Sequence, residues 1–109
     1  MIVDEVTEMY SGDKVAALRD LQRIPGVGSS LADDLWHLGY SSVSELAGED
    51  PEDMYLQHCV QQGTQVDRCV LYVFRCAVYF ASHDEHDPEL LKWWNWKDHQ
   101  RPFPRGYIM

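Results

Sequence analysis

Residues 23–30, Arg23-Ile24-Pro25-Gly26-Val27-Gly28-Ser29-Ser30, bring together groups suited to holding an anion. Two glycines keep side chains away from the backbone, and two serines follow at once. A helix that starts here presents N–H groups with no intrahelical acceptor, and its dipole adds partial positive charge at the same end. A phosphate oxygen is a natural acceptor for such donors. The expected donors are the amides of Gly26, Gly28 and Ser30, with a hydroxyl from Ser29 or Ser30. Arg23 and, one turn earlier, Arg19 are the nearest cations. Val27, between the glycines, is expected to point inward and pin the turn to the core.

Other reactive residues form weaker patterns. Arg68, Tyr72, Arg75 and Tyr79 recur at steps of three and four, which is one stripe of a helix. Such a stripe either binds nucleic acid, with Arg on phosphate and Tyr on bases, or is covered by the aromatic segment KWWNWKD. The second is expected, with Arg stacking on Trp and pairing with acids of a neighbouring helix. His83, Asp84, Glu85, His86 and Asp87 carry metal-ligating types, but they precede a helix as a loop, so a solvated acidic loop is expected. Cys59, Cys69 and Cys76 form no CxxC pair, and inert reduced thiols are expected rather than disulfides or zinc. His58 and Cys59 are adjacent on a helix and point apart. No paired carboxylates or activated nucleophile sit at a recognisable spacing. The expectation is therefore no catalytic residue, no metal and no cofactor.

The elements that must position the glycine turn read as helices throughout. Residues 13–23 place Val15, Leu18 and Leu21 on roughly one side. Pro25 takes Ile24 out of helical space and ends this helix near Arg23. Ser29 or Ser30 caps the next helix, whose apolar face is Leu31, Leu35 and Leu38, with Gly39 as its stop. SSVSELAG reads as a capped short helix closed by Gly48. Asp50 and Pro51 open another helix as cap and first position, with Glu52 and Asp53 complementing its dipole, and Gly63 ends it. Residues 66–82 are apolar around most of the circumference and form the expected buried centre. Asp87 and Pro88 look like a further cap, and Trp93, Trp94 and Trp96 are expected to dock on the bundle.

Charge sets a limit on partners. The 109 residues carry nine Lys/Arg against eighteen Asp/Glu, a net charge of −9. A general polyanion binder shows an excess of base, so nucleic-acid contact here must be local and built from backbone donors. Residues 49–53 hold Glu49, Asp50, Glu52 and Asp53 with no base, which a helix start explains. The acidic beginning MIVDEVTEMY lacks the pattern of a signal peptide. CVLYVFRCAVYFA is short for a membrane span and contains Arg75. A cytoplasmic protein with no membrane contact is expected.

LQRIPGVGSSLADDLWHLG, residues 21–39, resembles a helix-hairpin-helix motif. The resemblance implies contact between the hairpin backbone and DNA phosphate without base reading, at Pro25, Gly26, Val27, Gly28, Ser29 and Ser30. SVSELAGEDPEDMY resembles the degenerate partner of a tandem helix-hairpin-helix domain. It lacks the glycine pair, which implies a structural role. DRCVLYVFRCAVYFAS and DPELLKWWNWKD resemble the small bacterial proteins of the pathogenicity-locus family, relatives of which carry the label mitomycin resistance protein. This resemblance spans roughly residues 18–98.

Together these give an all-α fold: a tandem helix-hairpin-helix-like bundle of about five helices with a docked Trp-rich C-terminal segment. Residues 1–109 form one domain, with 1–12 an N-terminal extension, 13–62 the tandem unit, 63–98 the central helix and aromatic segment, and 99–109 an irregular tail. The expected function is a non-enzymatic DNA-backbone-binding module, in repair or damage tolerance as the resemblance implies, using Arg19, Arg23 and residues 25–30. Weak affinity alone implies a protein partner or a homodimer. The alternative is a protein–protein or dimerisation adaptor with no DNA contact.

Overall fold

In the computed structural model, residues 13–98 are described. The expected extension (1–12) and irregular tail (99–109) lie outside the described residues. The described chain is helical, with no strand among these residues. Its four α-helices are α1 at residues 13–21, α2 at Ser29–His37, α3 at Pro51–Gln62 and α4 at Arg68–Ser82. Three short 3₁₀ turns follow α2 and α4, at Val43–Leu46, Pro88–Leu91 and Trp93–Trp96. The expected count of about five helices is thus corrected to four. The segments around 43–46 and 88–96 are too short and too tightly anchored to complete α-helical turns.

Local signals set most boundaries. Asp50 accepts a hydrogen bond from the Glu52 N–H at 3.0 Å, with Pro51 behind it, and starts α3 as expected. Gly63 ends α3 in the left-handed conformation, φ 71°. Asp67 caps α4 through the Cys69 N–H at 2.9 Å, so α4 begins at Arg68 rather than residue 66. Asp87 caps the Pro88–Leu91 turn through the Glu89 N–H at 2.9 Å. α2 departs from this pattern. Its N-cap is Gly28, and no side chain caps it, where Ser29 or Ser30 was expected to.

α4 is the centre. Leu71, Val73, Phe74, Arg75, Cys76, Ala77, Val78 and Tyr79 are all buried along it. It packs against α3, the Val43–Leu46 turn and both C-terminal turns. Leu21, Ile24 and Val27 from the α1–α2 turn join Leu35, Leu46, Met54 and Phe74 in one core. A second cluster forms where Trp96, fully buried, meets Cys76, Tyr79 and Leu90. Trp96 donates its indole N–H to the Leu90 carbonyl at 2.8 Å, which removes the cost of burying that donor.

The Arg68–Tyr79 stripe is covered at Arg75 and Tyr79 and left exposed at Arg68. Arg75 is 3% exposed. Its guanidinium donates to the Trp96 carbonyl at 2.7 Å, pairs with Glu52 of α3, and lies 2.9 Å from an Asp98 oxygen. Arg68 donates to Asp98 at 2.6 Å. Burial disfavours the charged form of Asp98, but hydrogen bonds from Arg68 and Arg75 outweigh it and hold the carboxyl below its usual range. Arg75 stacks over the Tyr72 ring, 5.6 Å from its centroid, rather than over a tryptophan. The stripe therefore clamps the aromatic segment onto the bundle.

Candidate functional site

The α1–α2 turn is held from inside. Ile24 and Val27 are buried, and the Val27 N–H donates to the Ile24 carbonyl at 3.1 Å. Val27 thus fixes the turn, and neither its side chain nor its amide faces out. Pro25 is half-buried and has no N–H to offer. Outside, Gly26, Gly28, Ser29 and Ser30 are all exposed. The first backbone bond into α2 runs from the Ala32 N–H to the Gly28 carbonyl at 2.9 Å. The N–H groups of Ser29, Ser30 and Leu31 are left without a protein acceptor among the described residues. No acidic residue lies in the first turn of α2.

Gly26 and Gly28 have different reasons to be glycine. Gly26 has φ 87°, which side-chain-bearing residues rarely adopt, and a Cβ there would sit 3.1 Å from Trp93 Cδ1. Gly26→Ala is expected to destabilise the fold by about 1–3 kcal/mol. A lowered midpoint in a urea titration with an unchanged slope would show it. Gly28 has ordinary extended backbone, φ −92° and ψ −168°, and nothing within 4 Å of an added Cβ. Its lack of a side chain keeps the start of α2 open.

The cations stand unequally. Arg19 is exposed and has no ion-pair partner among the described residues. Arg23 pairs with Asp20 at 2.7 Å, its side chain 62% exposed. An exposed pair of this kind contributes about 0–1 kcal/mol, so an arriving anion can compete for Arg23. Asp20 has a second task. It accepts the Val43 N–H at 2.7 Å, and this bond, then the Arg23 contact, holds its carboxyl below its usual range. Asp33 and Asp34, one turn into α2, face away to other partners. Asp33 pairs with Lys14 at 2.8 Å, and Asp34 lies 3.7 Å from Nε2 of buried His58.

The structure therefore exposes Gly26, Gly28, Ser29 and Ser30 at the start of α2, whereas the Arg23 side chain lines a hollow with Asp20, Trp36 and Ser42, and Arg19 stands a turn back along α1. Sequence reasoning missed Trp93 against Gly26. A glycine that must accept an indole carries no separate mark in a sequence.

Several of the remaining reactive residues are engaged elsewhere, while Nδ1 of buried His58 has no hydrogen-bond partner among the described residues. His86 bonds the Phe80 carbonyl at 2.8 Å and stacks on its ring, and Asp87 serves as a cap. Burial pushes the Cys76 thiol up to about 12, and Cys69 is raised by its contact with Asp67, which leaves both poor nucleophiles. Among the described residues no group of three or more His, Cys, Asp or Glu is placed to hold a metal ion. No helix among them is long and apolar enough to cross a membrane.

Four helices with α4 buried at the centre, an aromatic C-terminal segment clamped by Arg75, and an uncapped helix start at a glycine turn define a small all-helical protein among the described residues. The chain belongs to the Cdd1, pathogenicity locus, family, whose family model matches residues 14–102. No curated protein and no solved structure shows significant similarity to it.

Proposed function

We propose that this protein binds the phosphate backbone of DNA, without reading bases, through the amides at the start of α2. α1, the glycine turn and α2 act as a helix-hairpin-helix grip, and the Val43–Leu46 turn with α3 is its degenerate, structural partner. The observation that carries this reading is the uncapped start of α2. Asp50, Asp67 and Asp87 fill the equivalent place at three other helix starts, whereas Gly28 leaves three donors of α2 facing solvent. Arg19 and Arg23 add charge. The protein performs no chemistry on its ligand. It serves as a DNA-holding module in repair or damage tolerance, and so few phosphate contacts on a chain of net charge −9 call for a protein partner or a second copy.

One observation favours the adaptor alternative. Leu56 and Val60 lie one turn apart on α3 and are 61% and 80% exposed, an apolar pair suited to a protein partner. This surface is separate from the glycine turn, so the two readings can be tested separately.

Gly28→Asp separates them. The new carboxylate fits the space, accepts an orphan N–H of α2 and meets the positive end of the dipole. It is expected to stabilise the fold by about 0.3–1 kcal/mol, read as a raised melting temperature. It also occupies the donors and repels phosphate, so DNA affinity is expected to fall roughly tenfold or more, given that each hydrogen bond to a charged group contributes about 1.5–3 kcal/mol. A raised melting temperature with unchanged DNA affinity rules out this corner as the binding site.

A further inference from the structure

We propose that the exposed Trp94 is a stacking platform for an unpaired base, so that the ligand of the glycine turn is DNA with single-stranded character rather than intact duplex. The inference rests on the phosphate reading of the turn and names the form of DNA that the same corner takes.

The geometry is a short aromatic relay. Trp93 lies against Gly26, close enough that a Cβ would sit 3.1 Å from its ring. Trp94 meets Trp93 edge-on, with centroids 5.8 Å apart and planes at 86°. Trp94 is 46% exposed and has no other ring contact among the described residues. Its open face is thus one ring beyond the turn whose amides are free. The backbone that presents it is fixed at both sides. Asn95 donates its side-chain amide to the Glu89 carbonyl at 2.7 Å, and Arg75 holds the Trp96 carbonyl at 2.7 Å. A platform mounted this way does not have to be ordered on binding.

Charge balance makes stacking necessary. Arg19 and Lys97 are the Lys and Arg side chains without an ion pair among the described residues. Two free cations release few counterions, so the electrostatic part of any affinity is small. Base–aromatic stacking supplies affinity that needs no cation and no base identity. A duplex cannot use it, because paired bases already stack on one another. A strand, a gap or a frayed end can lay a free base on Trp94 while its phosphate meets the amides of Ser29, Ser30 and Leu31.

The test measures anisotropy of three labelled DNAs of one sequence: a single strand, its duplex, and the duplex with a central gap. Wild type, Trp94→Ala, Trp94→Phe and Gly28→Asp are compared at low salt, with light scattering to record association state. Wild type is expected to prefer the strand and the gapped duplex over intact duplex by at least about fivefold, the lower end of the effect of one stacked base. Trp94→Ala loses that preference and keeps its duplex affinity, Trp94→Phe retains part of it, and Gly28→Asp weakens binding to all three. Equal binding of strand and duplex, untouched by Trp94→Ala but weakened by Gly28→Asp, overturns the platform and leaves the phosphate reading standing. No binding to any of the DNAs overturns both. Trp94→Ala that changes association state and not strand preference assigns the indole to a contact between copies and overturns the platform.

Discussion

Trp96→Ala is expected to lower stability by about 3–5 kcal/mol, the usual cost of truncating a fully buried tryptophan. For a helical unit of this size that is a fall in melting temperature of tens of degrees. Trp96 has no solvent exposure and fills the space between Cys76, Tyr79 and Leu90. Its removal leaves a cavity in a cluster too small to collapse, and one of the donors that meets the Leu90 carbonyl disappears. Differential scanning calorimetry measures the loss directly. The Trp96 side chain is the turn's anchor in the core, beside the backbone holds from Arg75 and Asn95, so the substitution loosens Trp93 on Gly26 and reaches the glycine turn from a distance.

Arg75→Met is expected to cost about 2–3 kcal/mol. Removing one member of a buried ion pair typically costs 3–5 kcal/mol because the other charge is stranded. Here the stranded carboxylates belong to Glu52 and Asp98, whose side chains are 50% and 34% exposed, so water repays part of the loss. Methionine preserves the packing of the stem, which isolates the polar contribution. Arg75→Lys should recover part of the stability, since an ammonium keeps the charge but cannot reach Glu52, Asp98 and the Trp96 carbonyl with a planar fork. Urea titrations of the three proteins rank them, with wild type first, lysine second and methionine last.

Features set by neighbours in the chain were legible in the sequence. Asp50 before Pro51, Gly63 after α3 and the Pro25–Gly28 break each act within one turn of helix, so residue types alone place them. The burial of Val27 was legible from its place between two glycines, and that of Arg75 from the number of aromatics that needed a surface, whereas Arg68 stays exposed with its end on Asp98. Features set by distant residues were not. Asp20 looks like an ordinary helix acid, yet it holds the Val43 N–H, 23 positions away. Residues 88–96 carry a helix start signal, yet three tryptophans draw them into two 3₁₀ turns. Trp96 must enter the core and Trp93 must meet Gly26, while Trp94 faces out. The chain is extended at Lys92 between the two turns, φ −92° and ψ 111°, so tertiary packing overrides the local preference. The cap of α2 failed for a different reason. Ser29 and Ser30 are both inside the helix, and the residue at the cap position is the glycine that keeps its donors free.

The central claim is that backbone amides at one helix start hold DNA phosphate on an acidic protein. Its most direct test is the affinity of the wild-type protein for one short DNA across a salt series. A grip of a few phosphates predicts that the logarithm of the affinity falls linearly with the logarithm of salt, with a slope of about −1 to −3. Affinity that does not change with salt, or no binding even at the lowest salt, contradicts it.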